Sequence, residues 1–157
     1  MDRIDRAILE QLRRDCRQSN TEIADLVGLT PSPCLRRIRR LEEDGIIQGY
    51  HARVDPVAIG RGFEVHVDFE LKDQAKSTIR EFEAALVAFD EVIEARRTFG
   101  APDYQALVAV ADLQTYELFM TEHLADLPGL AKLQSRFTMK TLKANVPANA
   151  APDGANR

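Results

Sequence analysis

One stretch decides the fold of the first third of the chain: residues 19–45, which read SNTEIADLVGLTPSPCLRRIRRLEEDG. The Ser-Asn pair at its start is suited to cap a helix, and Gly28 is suited to end that helix. Thr30 or Ser32 opens another helix, because the neighbouring prolines are tolerated in a first helical turn. The stretch therefore predicts two helices joined by a short turn.

The second of these helices has an apolar side and a basic side. Cys34, Ile38 and Leu41 recur at i, i+4 and i+7, which is the spacing of a stripe packed against a core. At about 100° of rotation per residue, this stripe leaves Ser32 and Arg36 pointing away from the core. The pattern predicts a helix-turn-helix, whose second helix enters the major groove of DNA.

Four arginines, at positions 36, 37, 39 and 40, concentrate positive charge on this helix. A guanidinium group can bridge guanine O6 and N7 or clamp a phosphate. We expect Ser32 and Arg36 to contact base edges and the other three arginines to contact phosphates. The alternative is a solvated helix face whose arginines pair with the acidic residues at positions 42–44. The predicted DNA-binding residues are Ser32, Pro33, Arg36, Arg37, Arg39 and Arg40.

Two flanking segments complete this part of the chain. Asp5–Asp15 has the apolar spacing of a helix, and Ile46–Val54 alternates as the strands of a small wing or as a strand leading away. Asp55-Pro56 breaks this alternation. The sequence therefore predicts a winged helix-turn-helix DNA-binding domain over residues 1–54 and a linker over residues 55–62.

The remaining two-thirds alternates between strand and helix patterns. The predicted strands are 63–71, 92–99, 104–110 and 130–142, and the predicted helices are 76–89 and 116–124. Their order is that of a ferredoxin-like βαββαβ domain, predicted over residues 63–143. Residues 144–157 are small and proline-rich with no apolar period, which predicts a disordered tail. The fold class is therefore α+β.

Composition and charge exclude several classes of protein. The net charge is −4, but residues 1–53 carry +1 and residues 54–157 carry −5, so basic character collects in the helix-turn-helix. No apolar run reaches the roughly 18–20 residues of a membrane span, and no apolar signal opens the chain. These features predict a cytoplasmic protein without a membrane partner.

Catalytic signatures are missing from the sequence. It contains no phosphate-binding glycine loop, no nucleophile elbow and no paired histidines. Glu64, His66, Asp68 and Glu70 alternate along the first predicted strand, and we interpret them as a solvated or subunit-facing side of the sheet rather than as a metal site. We therefore predict neither an enzyme nor a bound metal or cofactor.

Several runs together resemble the leucine-responsive regulator (Lrp/AsnC) family. They are DRID at 2–5, SNTEIA at 19–24, VGLTPSPCL at 27–35, RIRRLE at 37–42 and GIIQGY at 45–50. The resemblance implies a sequence-specific transcription regulator bound to double-stranded DNA in the nucleoid. It also implies that the second domain holds a small-molecule effector, often an amino acid, and assembles homodimers into larger rings such as octamers.

The resemblance extends to the second domain. Residues 100–104, GAPDY, match the family's glycine-x-x-aspartate-aromatic turn, and residues 127–130, LPGL, match its Leu-Pro-Gly-Val. It implies that the effector-binding residues are Gly100, Asp103, Tyr104 and Ser135. Pro102 and Leu133 depart from the family pattern, and we expect both to reshape the pocket.

The residues of this turn, considered without the resemblance, leave two interpretations. A glycine lets backbone N–H groups approach an α-carboxylate, and Asp103 suits an α-ammonium. The alternative is a plain hairpin turn in which the aspartate stabilises its own backbone.

Three functions follow from these observations. The first is a regulator whose DNA affinity changes with an amino acid bound to the second domain. The second is an architectural protein that coats DNA with little effector control. The third, a ferredoxin-like enzyme with a helical appendage, lacks any cluster of catalytic residues.

Overall fold

The computed structural model describes residues 1–140 and Leu142. This part of the chain divides into two compact units, Met1–Ala52 and Arg53–Leu142. Lys143 and the tail predicted over residues 144–157 lie outside the described residues.

Three helices form the first unit: α1 (Arg3–Arg14), α2 (Asn20–Val27) and α3 (Pro31–Glu43). Asp2 and Asp5 form a reciprocal capping box at the start of α1, and Ser19 and Glu22 form another at α2. Gly28 ends α2 in the left-handed conformation, with φ of 71°. The local sequence thus fixes where the first two helices begin and where the second one ends.

The apolar side of α3 packs into the core of this unit, as its spacing predicts. Cys34, Ile38 and Leu41 are buried, and they share one cluster with Ile8 of α1 and Ile23 of α2. This packing confirms the helix-turn-helix.

The prediction of a strand over Ile46–Val54 is wrong. The backbone N–H groups of Ile46 and Ile47 both donate to the carbonyl oxygen of Leu41, at 2.9 and 3.0 Å, and so close the end of α3. Ile47 also packs against the core of this unit. Because these amides are used by the helix end and residues 1–52 contain no strand to pair with, the segment joins no β-ladder.

The second unit follows the predicted order of strands and helices. Its elements are β1 (Phe63–Leu71), α4 (Lys76–Leu86), β2 (Val92–Arg97), β3 (Tyr104–Val110), α5 (Leu113–Phe119) with a π-helical turn (Met120–Leu124), and β4 (Leu130–Phe137). The second helix begins earlier than predicted, because Asp112 accepts a hydrogen bond from the Thr115 N–H and caps it. The last strand ends earlier than predicted, where its pairing with β1 stops at Phe137.

The four strands form one antiparallel sheet in the order β2-β3-β1-β4. The central strand β1 pairs Phe69 with Tyr104 of β3 on one side and with Leu133 of β4 on the other. The buried side of the sheet carries Val65, Val67 and Phe69, which pack with Phe82 of α4. The βαββαβ arrangement is therefore confirmed, with β1 and β3 at its centre.

Gly129 provides a test of packing in this unit. Its φ is 72°, and a Cβ at this position would overlap the Thr78 Cγ2 methyl of α4. Gly129→Ala therefore adds a clash to the left-handed strain and should destabilise the protein by roughly 2–4 kcal/mol in urea unfolding. Gly60→Ala, with φ of 70° and open space around the new methyl, should cost only about 1 kcal/mol. Equal losses in the two variants would contradict the packing described here.

Candidate DNA-binding surface and effector cleft

The outer side of α3 forms a shallow groove of about 550 Å³. Ser32, Arg36 and Arg39 are exposed and line it, as the helical spacing predicts. Arg40 also lines this groove, whereas Pro33 is half-buried in the first turn of the helix. The groove therefore combines a hydroxyl group with three guanidinium groups on one face of the second helix of the helix-turn-helix.

Arg37 lies on a different side of α3, where it meets α1. Its Nη1 lies 2.6 Å from Asp2 Oδ2 and 2.8 Å from Asp5 Oδ1, and Arg40 Nη2 lies 2.8 Å from Asp5 Oδ2. Glu42, one of the alternative partners considered from the sequence, instead accepts a hydrogen bond from the Tyr50 hydroxyl at 2.8 Å. The arginine cluster is thus divided between the groove and a contact with α1.

Hydrogen bonds lower the pKa values of the Asp2 and Asp5 carboxyl groups. The Asp5 backbone N–H and then the Arg37 guanidinium lower the pKa of Asp2 to about 2. The Asp2 backbone N–H and the Arg37 guanidinium also lower the pKa of Asp5, although burial opposes them. Hydrogen bonds to the two aspartates raise the pKa of Arg37. All of these groups are therefore charged at neutral pH.

The lowered pKa of Asp2 predicts how the N-terminal unit responds to acid. A carboxyl group whose pKa is lower in the folded state stabilises the fold above about pH 4, and this stabilisation is lost as the pH falls toward 2. Asp2→Asn should therefore unfold more easily than the unmodified chain at pH 6, and the difference should vanish near pH 2. Urea unfolding at a series of pH values measures this difference, and a difference that does not depend on pH would contradict the ion pair.

In the second unit, the turn between β2 and β3 borders a cleft of about 740 Å³. Gly100 has a φ of 106° and open space at its Cα, so its backbone is accessible from the cleft. Arg97 and Gln74 contribute a cation and a carboxamide to the same cleft. The cleft therefore combines a cation and a carboxamide with the accessible backbone of a glycine.

The Asp103 carboxylate fastens this turn to the end of β1. Its Oδ2 accepts from the Leu71 backbone N–H at 2.7 Å, and its Oδ1 accepts from Gln74 Nε2 at 2.9 Å. The alternative of an aspartate that stabilises only its own turn is therefore incomplete, because the carboxylate bonds to another strand. Each oxygen retains a free lone pair for a further donor.

Two of the predicted effector residues lie away from this cleft. Tyr104 is buried on the helix-covered side of the sheet and donates its hydroxyl proton to Glu83 Oε1 at 2.8 Å. Burial and this carboxylate raise the pKa of Tyr104 to about 12. Ser135 Oγ lies 2.5 Å from the Tyr116 hydroxyl, on a strand separated from β3 by β1. Within this single chain, only Gly100 and Asp103 of the predicted set share the cleft.

Three residues that the sequence did not point to contribute to these sites: Asp5, Gln74 and Arg97. The spacing of Asp2 and Asp5 at a helix start is readable as a capping box, but their arginine partners are 32–35 residues away along the chain. Gln74 and Arg97 are brought to the cleft only by the pairing of β1 with β3 and of β3 with β2.

Some kinds of site do not occur in the described part of the chain. Across residues 1–140 and Leu142, no helix is long and apolar enough to cross a bilayer. The same residues contain no group of three or more His, Cys, Asp or Glu side chains that could hold a metal ion.

The helix-turn-helix with its basic outer groove and the second unit with its polar cleft define a class of protein: a transcription regulator that joins a DNA-binding helix-turn-helix to a ligand-binding domain. Residues 1–48 match a family model described as winged helix-turn-helix DNA-binding, and residues 64–148 match one described as the Lrp/AsnC ligand binding domain. The chain belongs to the Lrp/AsnC family, which confirms the resemblance found in the sequence.

Individual relatives agree with this assignment. The chain is 38% identical to the leucine-responsive regulatory protein of Salmonella typhimurium, covering 91% of this chain and 87% of the relative. It is 39% identical to the Bkd operon transcriptional regulator of Pseudomonas aeruginosa, covering 90% and 93%. A solved transcriptional regulator of Neisseria meningitidis, in complex with L-Met, has a TM-score of 0.86 and 30% identity over 92% of this chain and 93% of that one.

Proposed function

We propose that this regulator reads a specific DNA sequence with the outer face of α3 and responds to an amino acid bound beside residues 100–103. The observation that carries the proposal is the set of exposed side chains on the groove side of a helix whose other side is packed in the core. The L-Met complex of the similar regulator from Neisseria meningitidis supports an amino-acid effector. On this proposal the protein acts on DNA in the cytoplasm and catalyses no reaction.

Two of the three groove arginines, Arg36 and Arg39, are assigned different contacts. Arg36 lies one turn after Ser32 on the most outward line of the helix, so it is placed to bridge a guanine. Arg39 lies at the side of the groove, where the phosphate backbone passes a helix in the major groove. Base contact by Arg36 gives sequence discrimination, whereas phosphate contact by Arg39 gives affinity for any sequence.

Arg36→Ala should weaken operator binding by roughly 1–3 kcal/mol and relax the preference at one base position. Arg39→Ala should weaken all sequences alike and reduce the slope of log affinity against log salt by about one. Both are measured by fluorescence anisotropy with operator and unrelated DNA at several salt concentrations. Arg80→Ala, an exposed arginine of α4, serves as the control and should change neither quantity. Unchanged discrimination in Arg36→Ala would contradict this orientation of α3.

The cleft of the second unit contains complementary groups for both ends of an amino acid. The Arg97 guanidinium suits an α-carboxylate, and the free lone pairs of Asp103 suit an α-ammonium. The open backbone at Gly100 allows a ligand to approach closely. We therefore assign recognition of the amino-acid backbone to Arg97 and Asp103.

Calorimetric titration with a panel of amino acids tests this assignment. Asp103→Asn retains the shape of the side chain and its bond to Leu71, so the variant should fold and bind DNA, but it should bind the effector at least about tenfold more weakly. Asp90→Asn, an exposed position between α4 and β2, is the matched control. Effector affinity that survives in Asp103→Asn would contradict the assigned role.

Coupling between DNA and effector separates a regulator from an architectural protein. An effector that changes operator affinity five- to 150-fold corresponds to a coupling of roughly 1–3 kcal/mol, and DNA must change effector affinity by the same factor. DNA binding that no amino acid alters would favour the architectural alternative.

We also assign homodimer formation to the second unit. On the side of the sheet opposite the helices, Leu107 of β3 pairs with His66 of β1 and Glu94 of β2, and Asp68 of β1 forms an ion pair with Arg136 of β4 at 2.7 Å. A face with charges of both signs around an apolar centre can complement a second copy of itself across a two-fold axis. A dimer of this kind suits a palindromic operator, whose half-sites lie about one helical turn apart. Larger rings, including octamers, would build on this dimer.

A further inference from the structure

We propose that Asp5 is the positioning residue of the DNA-binding surface: with Asp2, it holds Arg37 against α1, so that Arg37 orients α3 and contacts no phosphate. This inference rests on the proposed function, because it assumes that the outer face of α3 meets DNA. It divides the arginine cluster into Arg36 and Arg39, which contact DNA, Arg37, which is bound within the protein, and Arg40, which is placed to do both.

Both oxygens of the Asp5 carboxylate are hydrogen-bonded within the protein. The residue is 1% exposed, and its Oδ1 accepts from Arg37 Nη1 at 2.8 Å. Its Oδ2 accepts from the Asp2 backbone N–H at 2.9 Å and from Arg40 Nη2 at 2.8 Å. A buried carboxylate with both oxygens satisfied is a rigid anchor, and it links the start of α1 to the middle of α3.

Charge balance keeps Arg37 away from phosphates. Its guanidinium faces two carboxylates, Asp2 and Asp5, and its side chain is 26% exposed. A DNA phosphate that approached this guanidinium would lie beside the two carboxylates that already neutralise it, which is electrostatically unfavourable. A cation already neutralised by the protein releases few counterions from DNA when the complex forms.

Arg40 differs from Arg37 in its exposure. Its side chain is 52% exposed and lines the outer groove, although one of its nitrogens binds Asp5. A guanidinium group has five N–H donors, so Arg40 can hold Asp5 and meet a phosphate at the same time. Arg40 therefore connects the anchor to the surface that faces DNA.

The anchor fixes the rotation of α3 about its own axis. The stripe of Cys34, Ile38 and Leu41 holds the helix from its buried side, and the ion pair of Arg37 holds it from α1. Two contacts in different directions leave little freedom to roll. Because neighbouring residues differ by about 100° around a helix, fixing Arg37 also fixes where Arg36 points.

A cycle of variants tests the inference through the salt dependence of DNA binding. Arg37→Met retains the apolar stem of the side chain and removes only its charge. In the otherwise unmodified protein, it should leave the slope of log affinity against log salt unchanged, whereas Arg39→Ala should reduce the slope by about one. In an Asp2→Asn/Asp5→Asn background, Arg37 is released toward the phosphates, and there Arg37→Met should reduce the slope by about one.

Discrimination between operator and unrelated DNA provides a second readout. Asp5→Asn should bind the operator about tenfold more weakly while its affinity for unrelated DNA stays within about threefold, because a rolled helix loses base contacts and keeps its charge. A residue that only stabilised the fold would lower both affinities together. Circular dichroism melts establish that each variant is folded at the temperature of the assay.

The outcomes separate this inference from the proposed function. A slope reduced by about one in Arg37→Met alone would show that Arg37 contacts phosphate and would overturn the inference. An Arg37→Met substitution without effect in either background would overturn the holding role of the aspartates. If Arg39→Ala also leaves the slope unchanged, the assigned DNA-binding face itself is wrong. If the Asp2→Asn/Asp5→Asn background does not fold, the salt slopes of Arg37→Met and Arg39→Ala in the otherwise unmodified protein still decide whether Arg37 contacts phosphate.

Discussion

The packing of Cys34, Ile38 and Leu41 into the core of the N-terminal unit is the interaction on which the DNA-binding surface depends. These side chains are at most 8% exposed, so their burial holds α3 from its inner side. Their burial places Ser32, Arg36 and Arg39 in the outer groove. The buried Asp5 carboxylate adds an electrostatic constraint on the same helix, since it binds two arginines of α3 from the start of α1.

The second unit depends on a comparable constraint at the end of its central strand. Pairing of β1 with β3 brings residues 69 and 104 together, and the Asp103 carboxylate then receives the Leu71 N–H. The turn that carries Gly100 is therefore held against β1 rather than left as a free hairpin end. A cleft fixed in this way can present Arg97 and Asp103 to a ligand without first ordering the chain.

The periodicity of the sequence predicted most of this fold, because each pattern is local. The i, i+4, i+7 stripe of α3 and the alternation of β1 required only neighbouring residues. The prediction of a wing strand failed because the N–H groups of Ile46 and Ile47 bond to the end of α3. The alternating pattern of the sequence does not reveal these bonds. The division of the arginines and the separation of Tyr104 and Ser135 from the cleft were not predictable, because they depend on partners brought together by tertiary folding.

In the proposed complex, the outer face of α3 reads guanines in the major groove while Arg37 stays bound to α1. Protection of guanine N7 from dimethyl sulfate, mapped along the operator, tests this arrangement because N7 lies in the major groove. Protected guanines are expected in each half-site, with loss of protection at one of them in Arg36→Ala and weaker protection at all of them in Arg37→Met, because α3 then loses its anchor to α1. A pattern that Arg36→Ala leaves unchanged, or a full pattern in Arg37→Met, would contradict this arrangement.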